Sequence, residues 1–203
     1  MKKILGLTVA ALIVITLVGG STWAYFTDTE SSTGNSLVAG TLDLNIDGGN
    51  TAVTTFSVSN VAPGDSGSGN STLANVGSLD GELDVAIGAI TNTGGSGGTQ
   101  YEDGSGDLGS VAEMALYIDV NQNGTWNNGD ICLRSDGSTY NSLEYDDIDS
   151  FGNTTWDAVE TLAISAQDDI VVAWRVPTTA GNSIQGDSIS FGITFTLEQA
   201  DED

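Results

Sequence analysis

The amino-acid sequence predicts an all-β protein, a β-sandwich of jelly-roll type preceded by an N-terminal signal-peptide helix. Three observations carry the prediction. Beyond residue 24 no segment sustains an apolar period of 3.6 residues, alternation with period two recurs, and clusters of Gly, Asn, Asp and Ser punctuate the alternating runs. The length of 203 residues suits one such domain, placed at residues 25–203 after a targeting segment at 1–24.

The targeting segment opens on Lys2 and Lys3, continues through an apolar run over residues 4–18, and ends on small residues before Thr22-Trp23-Ala24. An apolar run of about 15 residues falls short of the roughly 20 that a permanent membrane helix requires, so the pattern reads as a secretory signal. Cleavage by a signal peptidase between Ala24 and Tyr25 is expected, leaving a secreted chain with no stable membrane span. The competing reading keeps residues 4–18 as a pilin-type polymerisation helix; the small residues before Tyr25 suit the later cut.

Strands are predicted over residues 37–46, 53–59, 82–90, 115–120, 131–134, 161–164, 170–176 and 188–197. The last is the plainest: Ile189, Phe191, Ile193, Phe195 and Leu197 share one face, and small polar residues and Gly192 share the other. Leu42, Leu44 and Ile46 alternate in the same way, as do Leu83, Val85 and Ile87. The glycine-rich stretches 65–70 and 93–106 hold too few apolar groups to pack and read as exposed loops. The acidic end, residues 198–203, reads as a solvated tail.

Charge bounds the partners. Four basic residues stand against 28 acidic ones, for a formal net charge of −24. Such a surface repels phosphate backbones and anionic lipid, which argues against nucleic-acid binding, and it calls for cations to screen it. Cys132 is the single cysteine, so no internal disulfide can form, and the bland reading of it is a small buried hydrophobe. The chain has no histidine, which removes His-Glu-x-x-His zinc sites, Ser-His-Asp triads and Cys-His pairs. The expectation is a protein that is not an enzyme.

One stretch carries metal chemistry. Residues 119–130 follow the twelve-position pattern of a calcium loop, with Asp119, Asn121 and Asn123 at positions 1, 3 and 5. Gly124 permits the sharp turn at position 6, Thr125 offers its carbonyl, Asn127 acts through water and Asp130 closes the loop. Position 12 is Asp instead of Glu and the flanks read as strands. Weak calcium binding of a structural kind is therefore expected, with Asp146, Asp147 and Asp149 as further acids within reach. An Asn/Gly-rich hairpin turn that needs no ion is the alternative.

The junction Gly19-Gly20-Ser21-Thr22-Trp23-Ala24-Tyr25-Phe26-Thr27-Asp28-Thr29-Glu30, followed by Ala39-Gly40-Thr41-Leu42-Asp43-Leu44, resembles the TasA/camelysin family. Val61-Ala62-Pro63-Gly64-Asp65, Asn75-Val76-Gly77-Ser78-Leu79 and Gly181-Asn182-Ser183-Ile184 extend the likeness over most of the chain. The resemblance implies a jelly-roll domain that assembles head to tail with copies of itself. The products are extracellular fibres of biofilm matrix or bundling pili. It further implies that a donor segment within residues 25–36, led by Tyr25, Phe26, Thr27 and Asp28, completes a neighbour's sheet. Two alternatives stay open: a frayed mature terminus, and a monomeric, calcium-stabilised surface binding module. Part of the family bears the name camelysin and a description as a metallopeptidase, against which the missing histidine stands.

Overall fold

The computed structural model describes residues 40–50, 53–95 and 106–199. The expected signal segment 1–24, the Ala24–Tyr25 junction and the expected donor segment 25–36 lie outside the described residues. So do residues 96–105 and the end of the acidic tail.

Among the described residues twelve strands form two antiparallel sheets. In the larger sheet β1 (Leu44–Ile46) pairs with β3 (Ser66–Asn75), β3 with β11 (Gln167–Arg175), and β11 with β6 (Glu113–Asp119). Beyond β6 lie β7 (Ile131–Leu133) and β8 (Thr139–Tyr140), with β9 (Asp146–Asp147) on the other half of the β6 edge. The smaller sheet runs β10 (Thr155–Leu162), β4 (Gly81–Ile87), β12 (Ser188–Glu198), β2 (Val53–Ser59), and β5 (Thr91–Thr93) pairs the start of β12 beside β4. A four-residue helix, α1 (Leu108–Val111), precedes β6. Among the described residues no helix is long and apolar enough to cross a membrane.

The core lies between the inward faces. Ile189, Phe191, Ile193 and Phe195 of β12 face Met114, Leu116 and Ile118 of β6 and Ile170 and Val172 of β11, with Leu83, Val85, Ile87, Phe151 and Trp156 completing the layer. This is the alternation expected of strands packed on one face, and burying it is the main stabilising term. Cys132 is buried, as expected of a small hydrophobe.

Several boundaries depart from the sequence reading. The stretch 65–70, expected as a loop, is the first half of β3: Ser66 to Asn70 pair in register with Val171 to Arg175 of β11. Gly67 is suited to its place because Trp174 lies over it, where an added Cβ would stand 2.9 Å from the indole. Of the predicted strand 37–46, residues 37–39 lie outside the described residues and the described part is strand at Leu44–Ile46; the short β5 and β9, along with β8, carry too little apolar pattern to be read. The strand expected at 161–164 is longer and starts earlier, at Thr155. A bulge with Ala158 at φ 47° shifts its register between Trp156 and Glu160 and breaks the alternation.

Candidate functional site

Three places in this fold join chemistry to geometry: the loop after β6, the open side of the sandwich, and a carboxyl pair at the β10–β11 hairpin.

The loop after β6 turns at Gln122, Gly124 and Gly129, all at positive φ, and folds back over the outer face of the larger sheet. Trp126 meets the ring of Tyr117 edge-on at 5.5 Å. The six residues expected as ligands fall in this one loop. Asn121 Nδ2 donates to Asn127 Oδ1 (2.9 Å), and Asn127 Nδ2 to the Thr125 carbonyl (3.1 Å). The Thr125 N–H and hydroxyl both donate to Asn123 Oδ1. Asp119 accepts from the Gly124 N–H through Oδ2 at 2.7 Å, and Asp130 accepts from the Asn127 N–H through Oδ2 at 2.7 Å. The two carboxylates are 0% and 2% exposed, and the Oδ1 atom of each is buried with no hydrogen-bond partner.

Asp146, Asp147 and Asp149 do not join this loop. β9 pairs with β6 at Glu113 and Met114, the end of the strand opposite Asp119, and Asp146 accepts from the Ser135 hydroxyl while Asp149 accepts from Asn92. The acid that does stand beside Asp119 is Asp169, its cross-strand neighbour, and sequence reading missed it because register links them. Asp169 is already satisfied by Thr72, Asn70 and Gln122. Burial raises the Tyr117 phenol above its ordinary range, and the charges of Asp119 and Asp130 push the same way.

On the open side, β1 covers only Leu73 to Asn75 of β3. From Ser66 to Ser71 that edge has no strand partner among the described residues. The facing edge of the smaller sheet is β2, and a Thr54–Ser71 hydroxyl contact of 3.3 Å joins the two. Between them a cavity of about 100 Å³ reaches the core residues Ile170, Val172 and Ile193 beside Phe56 and Gly69. Gly69 shares the inward face with Ser71 and Leu73, and an added Cβ there would meet nothing within 4 Å. The chain enters β1 from the far end of β3: Thr41 accepts from Ser78 N–H and Asp43 from Val76 N–H.

At the β10–β11 hairpin Glu160 faces Asp168. Burial, then the Asp168 charge and the hydrogen bond between them, push Glu160 up to about 8, and burial raises Asp168 as well, so the pair holds a proton at neutral pH. The described cations are both engaged: Arg134 pairs with Glu144 at 3.0 Å, and Arg175 pairs with Glu113 and stacks over Tyr145.

The model of a family described as camelysin metallo-endopeptidase matches residues 1–203. No curated protein matches the chain. The match bears out the resemblance read from the N-terminal junction and the turn motifs. It also corrects the expectation that the chain is not an enzyme, because the description of the matching family is that of a metallo-endopeptidase. Such an activity implies a metal held by protein groups. The chain has no histidine, and among the described residues no three Cys, Asp or Glu side chains gather as a ligand set. The described residues therefore do not fit a histidine-held zinc.

Proposed function

Because the chain belongs to the camelysin family, whose members are typically extracellular or at the cell surface, we propose that it is a secreted structural subunit of an extracellular fibre or bundling pilus. It leaves the cell by the signal segment 1–24. Each copy then donates residues 25–36 to the open side of the next, between β2 and the first half of β3.

The observation that carries this reading is the unfilled place at Gly69. Backbone N–H and C=O groups along an unpartnered edge are a template for another extended chain. Here that edge borders a cavity of about 100 Å³ lined by Ile170, Val172 and Ile193. Seating one aromatic ring there, from Tyr25 or Phe26, is worth about 2–3 kcal/mol of burial.

The direction of the chain at β1 supports donation between copies. Upstream of β1 the backbone leaves beside Val76 and Ser78, beyond the end of β3 that lies opposite the open half. From Asn75 back to Gly69 is roughly 20 Å of strand. In this reading the donor of one copy enters the acceptor groove of the next. Repeated, that arrangement gives an open head-to-tail filament.

Electron microscopy of residues 25–203, beside a chain starting at residue 37 and a Gly69→Leu variant that fills the cavity, tests the reading. Fibres from the first alone are expected. Fibres from all three would overturn strand donation, and monomers from all three would favour a surface binding module.

A further inference from the structure

We propose that the loop from Asp119 to Asp130 binds one calcium ion, which serves as the counterion for two buried carboxylates and fixes Trp126 over Tyr117.

Asp119 and Asp130 each spend Oδ2 on an N–H of the loop itself, from Gly124 and Asn127. Each carboxylate is thereby drawn toward the loop it closes. The twin oxygens, Asp119 Oδ1 and Asp130 Oδ1, are both buried without a partner. An unpaired buried anion is among the costliest groups a fold can hold, so two in one loop call for a positive charge between them. The described part of the chain supplies none, since Arg134 and Arg175 are paired with Glu144 and Glu113.

The other ligand atoms are neutral oxygens, the amides of Asn121, Asn123 and Asn127 and the carbonyl of Thr125, held together in the loop as Asn121 Nδ2 donates to Asn127 Oδ1, Asn127 Nδ2 to the Thr125 carbonyl and the Thr125 N–H to Asn123 Oδ1. Two carboxylates with several amide and carbonyl oxygens make a hard, flexible, all-oxygen set. That set suits calcium, with its six to eight ligands, better than magnesium, which demands a near-ideal octahedron and keeps its waters. Zinc would want nitrogen or sulfur. With only two charges the dissociation constant falls in the weak range of extracellular modules, about 10⁻⁴–10⁻³ M.

The loop also covers the outer face of the larger sheet, since Trp126 packs on Tyr117 and the same face carries the buried Val171 and Cys132. An ion that ties the first and last residues of the loop together would hold that cover in place. The site is independent of the fibre reading, because it lies on the outer face of the larger sheet and not in the groove between β2 and β3.

The test is calorimetric titration of the chelator-treated mature protein with calcium chloride. Tryptophan emission and melting temperature are followed in parallel, on the parent, Asp119→Asn and Asp130→Asn. One ion per chain is expected, with a change in Trp126 emission that Trp126→Phe abolishes. At calcium a hundredfold above its dissociation constant, melting should rise on the order of 5–10 °C. Either Asn variant should weaken binding at least about tenfold. In chelator each should melt no lower than the parent, because an uncompensated buried charge has been removed. Absence of heat and of any melting shift in the parent would overturn the site. So would an equal calcium shift in Asp119→Asn, and so would an equal response to magnesium.

Discussion

The two long sides of this sandwich are built to different standards. On one, β10 and the β7–β8 hairpin close over Trp156, which is 1% exposed and donates from Nε1 to the Arg134 carbonyl at 2.9 Å. The Thr154 hydroxyl reaches the Ser135 carbonyl beside it, and Phe151 packs against the Trp156 ring. On the other, β2 and the first half of β3 meet through the Thr54–Ser71 contact, with Gly69 where a side chain would fill the gap. One side is sealed by an aromatic from the same chain; the other has room for an aromatic from elsewhere. An edge that is unpaired among the described residues and borders an apolar cavity is what most folds avoid, and keeping it is consistent with a partner strand.

Substitutions on the two sides sharpen the contrast. The largest effect is expected at Trp156→Ala, about 3–5 kcal/mol of lost stability in urea unfolding, since it empties the closed side and strands the Arg134 carbonyl. Next comes Gly67→Val, expected to cost about 1–3 kcal/mol, because the new side chain must displace the Trp174 indole 2.9 Å away. Two residues on, Gly69→Leu should do the opposite in the monomer. With nothing within 4 Å of its Cβ, it should leave stability unchanged or raise it by roughly 0.5–1 kcal/mol, and only assembly should suffer. Equal losses at the two glycines in thermal melts would erase the distinction between filled and unfilled edge.

A separate effect concerns pH. Glu160 is raised in the folded protein to about 8 from an ordinary 4.5, so the folded state binds the proton more tightly. Stability from this group is fully present below about pH 4.5 and is lost as pH rises toward 8. Urea midpoints should fall across that window in the parent, and Glu160→Gln should flatten the slope. A slope unchanged by the substitution would assign the dependence to other acids.

The same contrast explains what could be read from sequence. β12 was legible because Ile189, Phe191, Ile193 and Phe195 alternate without interruption, and burial alone dictates that pattern. The gathering of Asp119, Asn121, Asn123, Thr125, Asn127 and Asp130 was legible because they fall within one short turn, where spacing along the chain is spacing in the fold. The first half of β3 was not, since Ser66-Gly67-Ser68-Gly69-Asn70 has the composition of a loop. What makes it a strand is β11, about a hundred residues away, together with Trp174 lying on Gly67. The start of β10 was hidden by the bulge at Ala158, and the pairing of Asp119 with Asp169 by a register that no local pattern encodes. The open groove, the feature on which the fibre reading turns, follows from β1 covering only Leu73 to Asn75 of β3, a fact of topology.

The central claim is that the first half of β3 accepts a strand from another copy. Its most direct test adds a synthetic peptide of residues 25–36 to a chain starting at residue 37 and follows amide hydrogen exchange. The account predicts new protection confined to Ser66–Ser71 and the facing β2, abolished by Gly69→Leu. Exchange at those amides unchanged by saturating peptide would contradict it.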